Sequence, residues 1–212
     1  MTNYEIRAKA RQDLGGKIFG NKWMMALVAA LVYTAIIGIG SSIPVVGSIA
    51  IILITGPLIV GIYGYFVKLA RNEEAKIENI FDGFKDFVQN FLIHLMASIF
   101  AFLWSLLFVI PGIVKSYAYS MAYYIKLDNP DYDWKKCIDE SKNRMVGHKW
   151  DLFCLHFSFI GWAILCIFTF GIGTLWLTPY MQAANANFYE AHIKVIEEPV
   201  TVEFINEETT EG

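Results

Sequence analysis

Three long stretches of this chain contain almost no charged side chains. Residues 23–67 and 152–189 contain no Asp, Glu, Lys or Arg, and residues 87–125 contain one, Lys115. Only 17% of the 212 residues are charged and 56% are hydrophobic, whereas a soluble domain carries about 25% charged residues. Because a water-soluble fold cannot bury three such stretches, the sequence predicts an all-α, polytopic membrane protein.

Six apolar segments approach the length of about 20 residues that a helix needs to cross the hydrocarbon core. They are residues 23–40, 44–67, 88–110, 112–127, 151–170 and 173–192. Glycine and proline end helices and allow sharp reversals, and they separate the segments in pairs. We therefore predict six transmembrane helices arranged as three hairpins. The predicted outer turns contain Pro44, Pro111, Gly112, Gly171 and Gly173.

Sixteen of the seventeen Lys and Arg residues lie in the longer polar connections. These connections are residues 1–22, 68–87, 126–150 and 193–212. Since positive residues remain on the cytoplasmic side of a membrane, we predict that both termini are cytoplasmic and that the tight turns face outward. Segment 112–127 is short, but it must cross if the six cations of residues 126–150 are to stay inside.

The pattern Gly-x-Lys-Trp occurs twice, as GNKW at 20–23 and as GHKW at 147–150, each time before an apolar run. A lysine there faces anionic headgroups, and a tryptophan ring suits the membrane interface because it is apolar with one polar N–H. The pattern therefore predicts two cytoplasmic membrane anchors. They are Lys22 with Trp23, and Lys149 with Trp150.

The sequence between these motifs suggests a threefold internal repeat within one membrane domain, residues 1–194. Each unit holds an amphipathic helix, a span, a tight turn and a return span, over residues 3–70, 76–127 and 131–192. The alternative is that hydrophobic hairpins resemble one another without being repeats. The remaining residues, 195–212, contain six glutamates and no basic residue, which predicts an acidic disordered tail.

Two amphipathic stretches precede the second and third hairpins. In the second unit an apolar stripe contains Ile77, Ile80, Phe81, Phe84, Phe87, Val88 and Phe91. In the third unit a narrower stripe contains Trp134, Cys137, Ile138 and Met145, and Asp133 is the predicted N-cap. These helices either lie in the cytoplasmic membrane interface or pack on one another as a small cytoplasmic layer.

The polar residues within the spans are the candidate functional residues, because polar side chains in lipid should face protein or water. One candidate face contains Lys115, Tyr119 and Tyr123, and a second contains Gln182, Asn185 and Tyr189. Together they could line a cavity for a small amphiphile, a peptide or a lipid headgroup. The alternatives are that Lys115 extends to the outer headgroups and that both faces form interhelical hydrogen bonds.

No motif for catalysis, metal binding or nucleic-acid binding stands out. His156 and Ser158 lie two residues apart, so they point in different directions on a helix. The three cysteines lack the spacing of a disulfide framework or a metal site. The cations of the loops are explained by membrane orientation, so we expect no nucleic-acid partner. We expect no metal, no cofactor and no enzyme activity, and an intramembrane enzyme is the second alternative to this interpretation.

Several motifs together resemble a known family. They are IPGIVKSYAYSMAYYI (110–125), IDESKNRMVGHKWDLF (138–153), SFIGW (158–162) and GIGTLWLTPYMQAANANFYE (171–190). Their combination resembles the bacterial membrane proteins known as domain of unknown function 975, over nearly the whole chain up to about His192. The resemblance implies an integral protein of the bacterial cytoplasmic (inner) membrane without an established activity, and it assigns no functional residues.

These observations predict a non-enzymatic membrane scaffold or accessory subunit. Its expected partners are membrane lipids, other membrane proteins or further copies of the chain. The alternative is a small transporter or channel-like carrier with an outward-facing polar cavity around Lys115. The sequence does not choose between them.

Overall fold

The computed structural model describes residues 1–16, 20–42, 46–169 and 171–194, and these residues form helices and no β-strand. They contain ten α-helices, a 3₁₀ helix over Ile77–Asp86 and a π-helical turn over Tyr189–Ile193. The α-helices are α1 (Asn3–Asp13), α2 (Asn21–Ser41), α3 (Val46–Ala70), α4 (Phe87–Leu107), α5 (Val109–Tyr119), α6 (Ala122–Asp128), α7 (Trp134–Arg144), α8 (Lys149–Phe157), α9 (Ile160–Phe168) and α10 (Thr174–Phe188). The prediction of an all-α protein is confirmed for these residues.

Four helical segments are long and apolar enough to cross a membrane. They are Asn21–Ile39, Ile49–Ala70, Ile77–Leu106 and Lys149–Phe168. They correspond to the first, second, third and fifth of the six predicted spans, so the described residues have the helices of a membrane protein. The fifth contains a break, because α8 and α9 are separated at residues 158–159.

The other two predicted spans consist of shorter helices. Residues 112–127 are divided between α5 and α6, with a break at Ser120 and Met121. Residues 173–192 contain α10, which spans 15 residues, and the π-helical turn that follows it. By helix length, the described residues provide four candidate crossings rather than six.

The amphipathic stretch of the second unit packs along α3. At this crossing the two backbones touch: a Cβ atom on Gly61 would lie 2.5 Å from the carbonyl carbon of Ile80, and one on Gly83 would lie 2.9 Å from the carbonyl carbon of Pro57. Ile80 is fully buried, while Phe81 and Val88 are exposed. The predicted apolar stripe is therefore divided between α3 and the outside of the protein.

Helix α1 also packs against the bundle. Its N-cap Thr2 and Glu5 form a reciprocal capping box. Ile6, Ala10 and Leu14 are buried at the spacing of one helix face, and α1 contacts α10, α3 and α8.

Helix α7 begins at the predicted N-cap, because the carboxylate of Asp133 accepts a hydrogen bond from the backbone N–H of Lys136 at 2.9 Å. Cys137, Ile138 and Met145 of its apolar stripe are buried. The hydroxyl of Ser141 donates to the carbonyl oxygen of Ala118 at 2.7 Å. These contacts join α7 to the core through α5.

The predicted turns differ in how they are built. Pro44 lies outside the described residues. The second turn occurs at Phe108, and Pro111 and Gly112 lie in the first turn of α5, where proline is tolerated because the first N–H groups of a helix have no internal partner. At the third turn, between α9 and α10, Gly171 has a φ of +83° and Gly173 is the N-cap of α10; that the turns face outward stays a prediction.

Candidate functional site

The first predicted polar face lies against α4. The ammonium of Lys115 is 4.8 Å from the ring centroid of Trp104, a cation–π contact. The ring of Tyr119 is 6.2 Å from that of Phe100. Helices α4 and α5 are antiparallel here, because the later residue of α5 meets the earlier residue of α4. This face therefore contacts a neighbouring helix.

Tyr123, the third residue of this face, contacts a histidine. Its hydroxyl is 3.1 Å from Nδ1 of His94 on α4, and its ring meets Tyr63 of α3 edge-on at 5.8 Å. Tyr123 thus links α6 to two of the long apolar helices.

The three residues of the second predicted face, Gln182, Asn185 and Tyr189, contact different parts of the protein. Oδ1 of Asn185 is 2.9 Å from Nε2 of His156, whose Nδ1 is 3.2 Å from the hydroxyl of Tyr117. His156 therefore connects α5, α8 and α10. Oε1 of Gln182 is buried and has no hydrogen-bond partner among the described residues. No described contact joins Lys115 to Gln182 or Asn185.

Tyr189 belongs to a stack of three tyrosines. Its ring lies 5.2 Å from that of Tyr124, which lies 4.7 Å from that of Tyr63 on its other side. Each tyrosine comes from a different predicted return span. The stack therefore places the ends of α3, α6 and α10 side by side.

An ion cluster lies beside this stack. Arg71 donates to Glu190 at 2.7 Å and to Asp128 at 2.6 Å, and the hydroxyl of Tyr189 donates to Asp128 at 2.9 Å. Burial alone would lower the pKa of Arg71, but the hydrogen bonds to Glu190 and Asp128 outweigh burial and raise it. The guanidinium stays charged and holds three segments together.

The two Gly-x-Lys-Trp motifs occupy different environments. Trp23 is buried, 6.1 Å from the ring of Tyr180, whereas Trp150 is 69% exposed and stacks on Phe153 at 5.1 Å. Lys22 is exposed and Lys149 is half-buried. Trp150 has the exposure expected of an anchor in the membrane interface, and Trp23 forms part of the core.

Two aromatic ladders lie on the outside. Trp150, Phe153 and Phe157 line a groove of about 420 Å³ together with Cys154 and Ser158. On the other ladder, successive rings are 6.3 Å apart; its members are Phe81, Phe84, Phe87 and Phe91. Both ladders begin candidate membrane spans.

A family model described as "Protein of unknown function (DUF975)" matches residues 1–115 and 106–195. The chain belongs to this family. Curated proteins and solved structures gave no match. The predicted resemblance is thus confirmed. Within the described part of this DUF975 protein, no group of three His, Cys, Asp or Glu side chains is arranged to hold a metal ion.

Sequence reasoning missed the ion cluster of this DUF975 protein. Arg71 and Asp128 were assigned to the polar connections, and Glu190 was placed in the last predicted span, beside the face of Gln182 and Asn185. The available signal was their equivalent position: charges of opposite sign occur at the ends of three return spans. A comparison of the three predicted repeat units could have suggested that these charges meet.

Proposed function

We propose that the chain is a non-enzymatic scaffold or accessory subunit of the bacterial cytoplasmic membrane, which binds lipids or partner membrane proteins through its outer apolar faces. In this proposal six helices cross the bilayer as three hairpins. Both termini are cytoplasmic, and the short tight turns face outward.

The use of the polar side chains supports a structural role. Lys115 contacts Trp104, Tyr123 contacts His94 and His156 contacts Asn185, so these three polar side chains of the apolar region are engaged between helices. Large apolar side chains lie on the outside, as with Leu106 at 75% exposed. A surface of this kind favours contact with lipid tails or with the spans of another protein.

The ion cluster supports the six crossings. Arg71 follows the candidate span Ile49–Ala70 directly, and it binds Asp128 and Glu190. The C-terminal ends of α3, α6 and α10 therefore share one side of the protein. The chain leaves that side through α4, so it must cross back before it reaches Asp128.

The same reasoning applies to the last pair, where the chain leaves through α8 and α9 and returns to Glu190. Residues 109–128 and 174–193 each cover about 30 Å at helical rise, which is the thickness of the hydrocarbon core. Their length is therefore sufficient for the two crossings that single helices do not provide.

Partner retention tests the proposal. The full chain is extracted gently from its native membrane, and the proteins and lipids that it retains are identified by native mass spectrometry. The exposed side of the phenylalanine ladder is made polar with Phe81→Gln and Phe87→Gln. Exposed apolar residues elsewhere provide the matched control, Tyr4→Gln with Val146→Gln. If the protein is a scaffold, the ladder variant should lose the partner and the control variant should retain it.

Two further variants separate the other function classes. Lys115→Met leaves partner retention of a scaffold unchanged, whereas loss of a solute-uptake or resistance phenotype in a folded, inserted Lys115→Met protein would indicate a carrier. A change in the lipid profile of a His156→Ala strain would indicate an enzyme. Equal partner retention by the ladder variant and its control would contradict the scaffold proposal.

A further inference from the structure

The cations of α1 and of the first turn of α2 have no ion-pair partner in the described part of the chain. They are Arg7, Lys9, Arg11 and Lys22. Elsewhere in the described residues, eight Lys and Arg residues form ion pairs with Asp or Glu. The cationic region at α1 is therefore available to an anion from outside the protein.

Two buried donors in this region also lack acceptors. Nε of Arg7 and Nε1 of Trp23 are buried and have no hydrogen-bond partner among the described residues. Trp23 is 95% buried, since its exposed fraction is 5%. A buried donor without an acceptor is costly, and the cost is larger for a group that carries charge. A hydrogen-bond acceptor supplied by a ligand would remove this cost.

Tyr180 of α10 brings these donors together. Its hydroxyl donates to the backbone carbonyl oxygen of Arg7 at 3.3 Å, and its ring is 6.1 Å from that of Trp23. The charges of Arg11 and Arg7 both act on this hydroxyl through space. The backbone of α1 at Arg7 and the indole of α2 thus both lie beside one residue of α10.

The nearby carboxylate does not neutralise the region. Asp13 is buried and accepts a hydrogen bond from Asn187 at 2.6 Å, and it interacts at longer range with Lys9 and Lys22. These interactions involve Lys9 and Lys22 and not Arg7 or Arg11, so the positive charge of the two arginines is not offset by Asp13.

The surface of α2 beyond Trp23 is apolar and exposed. Met24, Val28 and Leu31 are 41%, 38% and 40% exposed, and their spacing places them on one helix face. They extend from the cationic region along a candidate membrane span. A ligand that binds both regions carries a negative headgroup on hydrocarbon chains.

We propose that the junction of α1, α2 and α10 binds the phosphate group of an anionic phospholipid. Arg7 and Arg11 contact the phosphate, the indole N–H of Trp23 supplies a further donor, and the acyl chains lie along Met24, Val28 and Leu31. Guanidinium groups suit phosphate oxygens because they donate two parallel hydrogen bonds. The site rests on the membrane placement of the proposed function and names the lipid class that it would bind.

Binding to the purified, delipidated full chain in detergent tests this site. Phosphatidylglycerol and phosphatidylcholine with identical acyl chains are titrated separately and counted by native mass spectrometry. We expect tighter binding of phosphatidylglycerol. Arg7→Gln with Arg11→Gln should weaken it about 25-fold, or about fivefold per arginine, and should leave phosphatidylcholine binding unchanged.

Two charge-matched and ring-matched controls make the test specific. Lys135→Gln with Lys136→Gln removes the same charge from two exposed positions of α7 and should change phosphatidylglycerol binding less than about twofold. Trp23→Phe should weaken binding, and Trp162→Phe, at an exposed tryptophan of α9, should not. If circular dichroism shows that the double arginine variant is unfolded, Arg11→Gln alone changes an exposed residue and should weaken binding about fivefold.

Three results would overturn the site. Equal loss in the arginine and lysine variants would mean that general surface charge attracts the lipid. Equal affinity for the two lipids would remove the role of the anion. Displacement of phosphatidylglycerol by millimolar inorganic phosphate would assign the site to free phosphate. Each result can occur while the Phe81 and Phe87 variants still control partner retention, so the scaffold proposal is tested separately.

Discussion

Gly61→Ala tests the contact between α3 and the 3₁₀ helix, which is the closest backbone approach described above. The new Cβ would overlap the carbonyl oxygen of Ile80 and lie 2.5 Å from its carbonyl carbon. These are backbone atoms, and they cannot rotate away as the end of a side chain can. The 3₁₀ helix must therefore move as a unit, together with Gly83, which faces Pro57 at the same crossing.

The expected cost follows from two opposing effects. Overpacking costs about 1–3 kcal/mol, and contact with fixed backbone places Gly61→Ala at about 3. Alanine regains about 1 kcal/mol in helix propensity. The net loss is about 2 kcal/mol, which for a chain of this size lowers the melting temperature by about 4–8 °C.

The assay is thermal unfolding of the detergent-purified protein, followed by circular dichroism. Gly161→Ala is the matched control, because a Cβ on Gly161 would meet nothing within 4 Å; it should melt at or slightly above the wild-type temperature. A Gly61→Ala protein with the same melting temperature as Gly161→Ala would refute the close packing of α3 and the 3₁₀ helix.

Three further predictions concern charged groups and a thiol outside the spans. Arg71→Met leaves Asp128 and Glu190 without their partner, so it should cost about 3 kcal/mol, measured by thermal unfolding; an unchanged melting temperature would contradict the cluster. Burial raises the pKa of Cys137 to about 11, so its alkylation at pH 8 should be slow in the folded protein and fast after unfolding in detergent; equal rates would contradict its burial. Burial also raises the pKa of Asp13. A carboxyl group whose pKa is raised on folding stabilises the folded state at low pH, and this stabilisation is lost as the pH rises through the folded-state pKa. Asp13→Asn should therefore be at least as stable as wild type at pH 7, with an advantage that shrinks toward acidic pH; melting curves that stay parallel from pH 4 to pH 7 would contradict it.

The features that depend on local sequence were predicted. Charge-free apolar runs determine where long helices form, and four of the predicted spans are found as helices of sufficient length. The N-cap at Asp133 and the turn at Gly171 were also predicted, because capping and positive φ depend on a few neighbouring residues.

The features that depend on distant contacts were not predicted. An apolar stripe at helical spacing cannot distinguish a lipid surface from a neighbouring helix, so the packing of Ile80 on Gly61 was missed. Trp23 and Trp150 belong to the same Gly-x-Lys-Trp motif, but Trp23 is buried and Trp150 is exposed. Arg71 meets residues 57 and 119 positions away. A one-dimensional pattern does not contain such pairings.

The partner of Lys115 illustrates the same limit. Sequence reasoning gave this cation a place in a ligand cavity, at the outer headgroups or in an interhelical hydrogen bond. The structure places it over the ring of Trp104, eleven positions earlier in the chain. The contact depends on the antiparallel packing of α4 and α5. The ligand role of Lys115 stays a prediction.

The side of the membrane on which α7 lies tests the topology most directly. If only the four long helices cross, one crossing is lost on each side of α7, and the segment after α4 faces outward. If α5 and α6 also cross, α7 with its cations faces the cytosol. A fluorescent or phosphatase reporter fused after residue 140 distinguishes the two. We predict a fluorescent fusion and an inactive phosphatase; an active phosphatase outside intact cells would contradict the six-helix topology.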